Sequence, residues 1–301
     1  MMQTIAEQAR ALGCEVLENE LLSRRTTFRI GGAARLLIEV NSTAALATLY
    51  AQCCTAQVPC VVLGNGSNML VSDSGYNGVV LHLSEPHFTS IVREKNDVIA
   101  GAGAKLTALT NFARAQGLTG IEFAHGIPGS VGGAVYMNAG AYGGELKDVL
   151  VSCEAVTREG KCITLSAEAL DMRYRHTALM TDGMIVTSAR VRLMPDNTAA
   201  VAARMDDYMN RRKTKQPLEF PSAGSVFKRP EGHFAGALIE QCGLKGCTIG
   251  GAQVSEKHAG FIINRGGATA ADVRALVKHI QAVVLRETGV ALECEILQIG
   301  P

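Results

Sequence analysis

Three clusters of glycine constrain this chain more than any other feature. They are Leu63-Gly64-Asn65-Gly66-Ser67-Asn68, Gly101-Ala102-Gly103-Ala104 and Gly126-Ile127-Pro128-Gly129-Ser130-Val131-Gly132-Gly133. A single cluster is often no more than a turn. Here two directly follow short apolar runs, and several together suit backbone N–H groups gathered around an anion, because glycine lets the chain aim its amides inward and approach a phosphate closely. Standard nucleotide fingerprints are missing. Leu106 stands where G-x-G-x-x-G needs its third glycine, and there is no G-x-x-x-x-G-K-[ST]. H-E-x-x-H and paired C-x-x-C are missing too, which removes the commonest zinc arrangements. A dinucleotide bound here is therefore held in another way.

Composition narrows the classes. With 47% hydrophobic residues there is ample material for a core, and 301 residues are about two domains' worth. Lys+Arg 29 against Asp+Glu 28 leaves a net charge of +1, too little surplus for a broad nucleic-acid binder. The nine cysteines form no framework. Their number is odd, and most sit among apolar neighbours where a free thiol behaves as a small hydrophobe. The opening Met1–Gly13 has no signal-type apolar run and no stretch reaches membrane-span length, so a soluble, cytoplasmic protein with reduced thiols is expected.

Periodicity predicts helices over Thr4–Leu12, Thr43–Gln57, Leu106–Ala115 (stopped by Gly117) and Ala199–Lys213. A long helix is predicted after Thr269 as N-cap, with Val273, Leu276, Val277, Ile280, Val283 and Val284 on one stripe up to Gly289. Strands are predicted at Val61–Leu63, Val79–Leu83, Val98–Ala100, Ser152–Val156, Lys161–Leu165, Met184–Val191 and Ala291–Ile299. Pro195-Asp196-Asn197 breaks the pattern, so a domain edge is expected there, between 1–195 and 196–301. Helices and strands interleave without strict alternation, which gives an α+β class.

Longer motifs carry a resemblance. Thr26–Gly32 (TTFRIGG), Val62–Leu70 (VLGNGSNML) and Gly120–Glu145, with its IPGSVGGAVYMNAGAYGGE core, resemble the UDP-N-acetylenolpyruvoylglucosamine reductase family. So do Pro221–Pro230, Lys257–Asn264 and Leu292–Gly300 in the second half. The motifs span nearly the whole chain in the family's order, and the length resembles the family's shorter form. The resemblance implies an FAD-binding fold of the vanillyl-alcohol-oxidase type in two subdomains, then an α+β substrate-binding domain. It implies noncovalent FAD with its pyrophosphate against Gly64, Asn65, Gly66, Ser67 and Asn68, and with Gly129, Ser130 and Gly133 close to the cofactor. NADPH is the implied co-substrate and a UDP-linked enolpyruvyl amino sugar the implied substrate. Neither nucleic acid, membrane nor an obligate protein partner is expected.

The same resemblance implies the catalytic roles. Ser225 would donate a proton to the substrate's α-carbon, while Arg175 and Glu295 would stabilise the enolic charge. A serine hydroxyl is a poor acid alone, and Lys215 and Lys228 are candidates to support its oxyanion. Lys215, Arg229 and His258 would contact substrate, and His125 would be a packed structural residue. By residue type alone each is ordinary: a turn serine, a solvated arginine, a C-terminal glutamate, a basic helix end at Arg211–Lys215. Three departures from the family's pattern stand out. Thr177 replaces the usual serine but keeps the hydroxyl, Leu297 stands where an arginine is common, and Arg25 stands where histidine or asparagine often precedes the Thr-Thr-Phe motif.

Three rivals remain at this level. Ser225-Val-Phe-Lys228 fits the S-x-x-K of serine acyl-enzymes, although Pro230 follows almost at once and no K-T-G or S-D-N partner exists. The others are a different flavin oxidase on the same scaffold and a non-catalytic flavin or nucleotide sensor.

Overall fold

A computed structural model describes residues 1–301. The chain clusters into two compact units, neither of them one continuous segment. The first comprises Met1–Asn19, Leu36–Asn65 and Gly78–Asn210; the second comprises Glu20–Arg35, Gly66–Asn77 and Arg211–Pro301. No helix is long and apolar enough to cross a membrane.

The first unit holds most of a four-stranded sheet, in the order Glu15–Leu21, Ala33–Glu39, Tyr76–His82, Cys60–Leu63. Its last two strands run parallel, with Leu63 opposite His82. The same unit contains a five-stranded antiparallel sheet in the order Cys162–Ser166, Leu150–Val156, Ile185–Arg192, Asp97–Gly101, Ile91–Glu94. Leu46, Leu49 and Cys53 of the Thr43–Thr55 helix and Leu106, Leu109 and Ala113 of the Leu106–Ala115 helix are buried in one core with the inward residues of these strands. This is the amphipathic spacing expected of a helix lying on a sheet.

In the second unit the sheet order is Ser222–Ser225, Phe261–Asn264, Ala252–Val254, Thr248–Ile249, with antiparallel neighbours. The Ala270–Thr288 helix has the predicted ends. Thr269 and Asp272 form a reciprocal capping box and Gly289 closes the helix in a left-handed conformation. Asp73 reinforces this start, its carboxylate oxygens accepting from the amides of Ala270 (2.7 Å) and Ala271 (2.9 Å).

The terminal strand is shorter than the apolar pattern of Ala291–Ile299 suggests. Only Leu297–Ile299 forms a strand, parallel to Met69–Val71. Before it the chain pairs elsewhere: Phe227 bridges Cys294, Lys228 N–H donates to Glu293 O (2.9 Å) and Glu295 N–H to Val226 O (2.7 Å). One apolar run thus serves two partners in turn, and the switch interrupts the ladder.

Candidate active site

Within the first unit, Gly64 and Asn65 of the first glycine cluster lie beside the other two clusters. Val131 N–H donates to Ala104 O (2.8 Å), Gly132 N–H to Ala102 O (2.8 Å), and Leu106 N–H to Gly129 O (3.0 Å), lacing the third cluster to the second. The Asn65 side-chain amide donates to Pro128 O, tying the first cluster to the third. A Cβ on Gly64 would lie 2.2 Å from the Ser130 hydroxyl oxygen, so any side chain there would displace that hydroxyl. Ser130 is buried and caps the short Val131–Tyr136 helix by accepting from Gly133 N–H (3.3 Å). His125 is half-buried, with Nδ1 3.0 Å from the Thr110 hydroxyl.

The loop after Leu63 is the part of the chain that fits a pyrophosphate. The N–H groups of Gly64, Asn65, Gly66 and Ser67 donate to no acceptor in the chain, although Gly66 is buried. Buried amides left this way are costly unless something else accepts from them, and an anion's oxygens are suited to several at once. Gly66 has φ +58°, and a Cβ there would lie 2.3 Å from Arg25 O, so the Thr-Thr-Phe motif packs directly on the loop. Thr27 N–H donates to Gly66 O (3.2 Å). Asn68 turns its side chain the other way, donating to Glu295 O (3.2 Å), while its own carbonyl accepts from Leu297 N–H (2.9 Å).

Within the second unit Ser225 and Glu295 are close in the fold. Ser225 pairs with Phe261 across the sheet, and the next residue's carbonyl accepts from the Glu295 amide. Its hydroxyl donates to Phe227 O at 3.3 Å. His258 lies at the turn into the Phe261–Asn264 strand, with Nδ1 accepting from Gly260 N–H (3.1 Å). That bond assigns the neutral ring's proton to Nε2. Burial holds the His258 pKa below the usual value, and the charges of Lys245 and Lys215 act in the same direction. Lys215 and Arg229 are exposed, the latter over the Phe234 ring at 4.6 Å.

The Lys228 ammonium lies 2.5 Å from the exposed Glu293 carboxylate. The acyl-enzyme arrangement fails, because Ser225 ends a strand and does not open a helix. Leu297 is half-buried in its parallel pairing beside the loop.

Arg175 belongs to the first unit. It has φ +53°, a left-handed backbone that non-glycine residues rarely adopt. Asn138 and Tyr142 share this conformation (φ +44° and +53°). Each such residue costs about 1–3 kcal/mol, which persists only where the surroundings over-determine it, typically at functional sites. The guanidinium donates to Asn138 O (3.4 Å) and Gly140 O (3.3 Å) and lies 4.9 Å from the Tyr174 ring centroid. Tyr142 stacks on Tyr208 with ring centroids 4.7 Å apart.

Comparison with known proteins agrees with this layout. An FAD binding domain family matches residues 34–166, and the C-terminal domain of UDP-N-acetylenolpyruvoylglucosamine reductase matches residues 216–299. The UDP-N-acetylenolpyruvoylglucosamine reductase of Agathobacter rectalis is 46% identical, over 99% of this chain and 98% of its own. The chain belongs to the UDP-N-acetylenolpyruvoylglucosamine reductase family. The family's enzyme from Levilactobacillus brevis is 47% identical over 100% of this chain and 97% of its own. The crystal structure of the family's enzyme from Thermus caldophilus superposes with a TM-score of 0.83 at 36% identity, covering 95% of this chain and all of that one. Membership bears out the resemblance carried by the motifs, the α+β fold with its FAD-binding region, and an FAD-dependent oxidoreductase.

Proposed function

We propose that this chain reduces UDP-N-acetyl-3-O-(1-carboxyvinyl)-glucosamine to UDP-N-acetylmuramate with NADPH, a cytoplasmic step of peptidoglycan precursor synthesis. Family membership supports the coarse reaction, and the observation that carries the reading to these residues is the loop of unpartnered amides at Gly64–Ser67 laced to the other glycine clusters. FAD held noncovalently by that loop would supply the redox chemistry, carrying the reducing equivalents of NADPH to the enolpyruvyl double bond. Gly64, Asn65, Gly66 and Ser67 bind its pyrophosphate through main-chain N–H groups, Asn68 anchors the end of that loop by donating to Glu295 O, and Gly129, Ser130 and Gly133 lie close to the cofactor.

Hydride addition leaves negative charge spread into the substrate carboxylate, so the protein must place positive charge or hydrogen-bond donors there. Arg175 does so with a planar fork matched to a carboxylate. Ser225 Oγ gives a proton to the α-carbon, and Glu295 helps hold the enolic oxygens. Lys215, Arg229 and His258 bind the UDP-sugar, His258 as a neutral Nε2–H donor.

Stopped-flow absorbance of the flavin separates the two half-reactions. Ser225→Ala should leave bleaching by NADPH intact and slow reoxidation by the enolpyruvyl substrate about 100-fold or more, the usual scale of a lost general acid. Equal loss in both halves would remove Ser225 from the proton-donor role. Pure protein that is colourless and takes up no FAD would end the whole reading.

A further inference from the structure

Arg175 sits on a tight turn closed by reciprocal bonds, Arg173 N–H to His176 O (3.0 Å) and His176 N–H to Arg173 O (3.1 Å). A turn of four residues with a left-handed arginine does not hold one guanidinium direction by itself. What holds it is the segment Tyr136–Gly140. Thr177, fully buried, donates its hydroxyl to Tyr136 O (2.8 Å), and Arg175 donates to the carbonyls of Asn138 and Gly140.

Asn138 lies at the centre of this stitching and is itself fully buried. Its Nδ2 donates to Glu145 Oε2 (3.0 Å) and to Arg173 O (3.1 Å), and its Oδ1 accepts from Lys147 N–H (3.0 Å). One side-chain amide thus joins the Tyr136–Gly140 segment, the Glu145–Lys147 segment and the turn that carries Arg175. Its left-handed backbone turns the Asn138 carbonyl to the guanidinium. The chemistry is specific to an amide: aspartate would offer no donor to Arg173 O and would set a second carboxylate against Glu145. Lys147, bonded to Glu145, holds that carboxyl below its usual range against a desolvation cost, with the Asn138 bond and the Arg175 charge adding to the effect. The acceptor facing Nδ2 is therefore an anion, and hydrogen bonds to charged groups are the stronger kind.

We infer that Asn138 is the positioning residue of Arg175, fixing the guanidinium where the substrate carboxylate arrives through a buried amide shared by three chain segments. The inference rests on the reading of Arg175 given above.

The test is a double-mutant cycle on the FAD-loaded enzyme, followed by stopped-flow flavin absorbance. Asn138→Gly suits the left-handed backbone, keeps the main-chain carbonyl that faces Arg175 and removes the side chain with its amide. It should keep FAD content and NADPH bleaching, and slow reoxidation by the enolpyruvyl substrate by about 10- to 100-fold, the scale of a misplaced catalytic group. In an Arg175→Ala background the same substitution should add less than about 3-fold, because its effect passes through the arginine. Should Asn138→Gly fail to fold, Glu145→Ala removes one of the amide's acceptors from a half-buried position. It should slow the same half-reaction about 3-fold or more, again only while Arg175 is present. Reoxidation at the wild-type rate in the variant that folds, or a slowing that multiplies with that of Arg175→Ala, would overturn the inference. Arg175→Ala with normal reoxidation would instead overturn the role of Arg175 itself.

Discussion

His258 shows how one bond sets a residue's protonation. Nδ1 accepts from Gly260 N–H, so protonating it means giving up that bond inside a largely buried setting with Lys245 and Lys215 nearby. Its folded pKa lies below the ordinary 6.5, so the unfolded chain binds the proton first as pH falls. Stability is full above about 6.5 and declines as pH drops toward the folded pKa. Following the His258 Cε1–H resonance by NMR should give a midpoint below 6.5, and His258→Gln should lose less stability than wild type between pH 7 and pH 5. A midpoint at or above 6.5 would contradict the buried, Nε2-protonated ring. At this scale the sequence was legible only where a motif surrounded the residue. Ser225 and Glu295 are ordinary by type, yet they fall beside one another across the Phe227–Cys294 bridge. Asn138 was illegible, because its importance comes from three partners that lie 7, 9 and 35 residues away in the chain, and neither periodicity nor spacing encodes such a convergence.

Among the elements, periodicity with end signals was decisive. The Leu106–Ala115 helix has the predicted bounds, and Ala270–Thr288 lies between Thr269 and Gly289 as its stripe and caps imply. Strands such as Glu15–Leu21, half exposed along its length, lack a clean alternation and were not read. The Thr198–Lys215 helix was legible as charged but not for what its charge does. Arg204 donates to the Glu122 carboxylate (2.9 Å) and the Thr119 hydroxyl (3.0 Å) and pairs with Asp196, fastening the helix to the segment that leads into the third glycine cluster. Burial alone would raise the Glu122 pKa, but bonds from Thr119, the Gly120 amide, its own amide and Arg204 outweigh it and hold the carboxyl below its ordinary value. Arg204→Met keeps the apolar stem and removes the donors, so it should cost about 1.5–3 kcal/mol in urea unfolding at pH 7. A group with a depressed folded pKa contributes its stability above the unfolded value and loses it as pH falls through the folded one. The penalty of Arg204→Met should therefore shrink below about pH 4, near the ordinary glutamate value; a penalty constant from pH 7 to pH 3 would exclude the ion pair as its source.

At the scale of the molecule, the expectation of two consecutive domains meets a chain whose second unit gathers three separated segments. Glu20–Arg35 and Gly66–Asn77 are short and carry glycine motifs that invite a local reading as loops, whereas their partners lie some 200 residues away. Phe28, Ile30 and Leu70 are buried in the same core as Ile239, Val273 and Ile280. Asn264 Nδ2 donates to Phe28 O (3.2 Å), Thr27 Oγ1 to Ser222 O (2.7 Å), and Asp73 caps the Ala270–Thr288 helix. Leu297–Ile299 has its only strand partner at Met69–Val71. An isolated 211–301 fragment would lose all of these at once. Three large apolar side chains at about 1.5–3 kcal/mol each already amount to about 5–9 kcal/mol, comparable with the whole net stability of a typical domain at about 5–15 kcal/mol. The fragment should therefore show helical circular dichroism with poorly dispersed amide resonances and strong binding of a hydrophobic dye, while the full chain gives a dispersed spectrum. A fragment that is dispersed and unfolds cooperatively would mean that the Arg211–Pro301 segment carries a sufficient core of its own, and that Phe28, Ile30 and Leu70 only cover it.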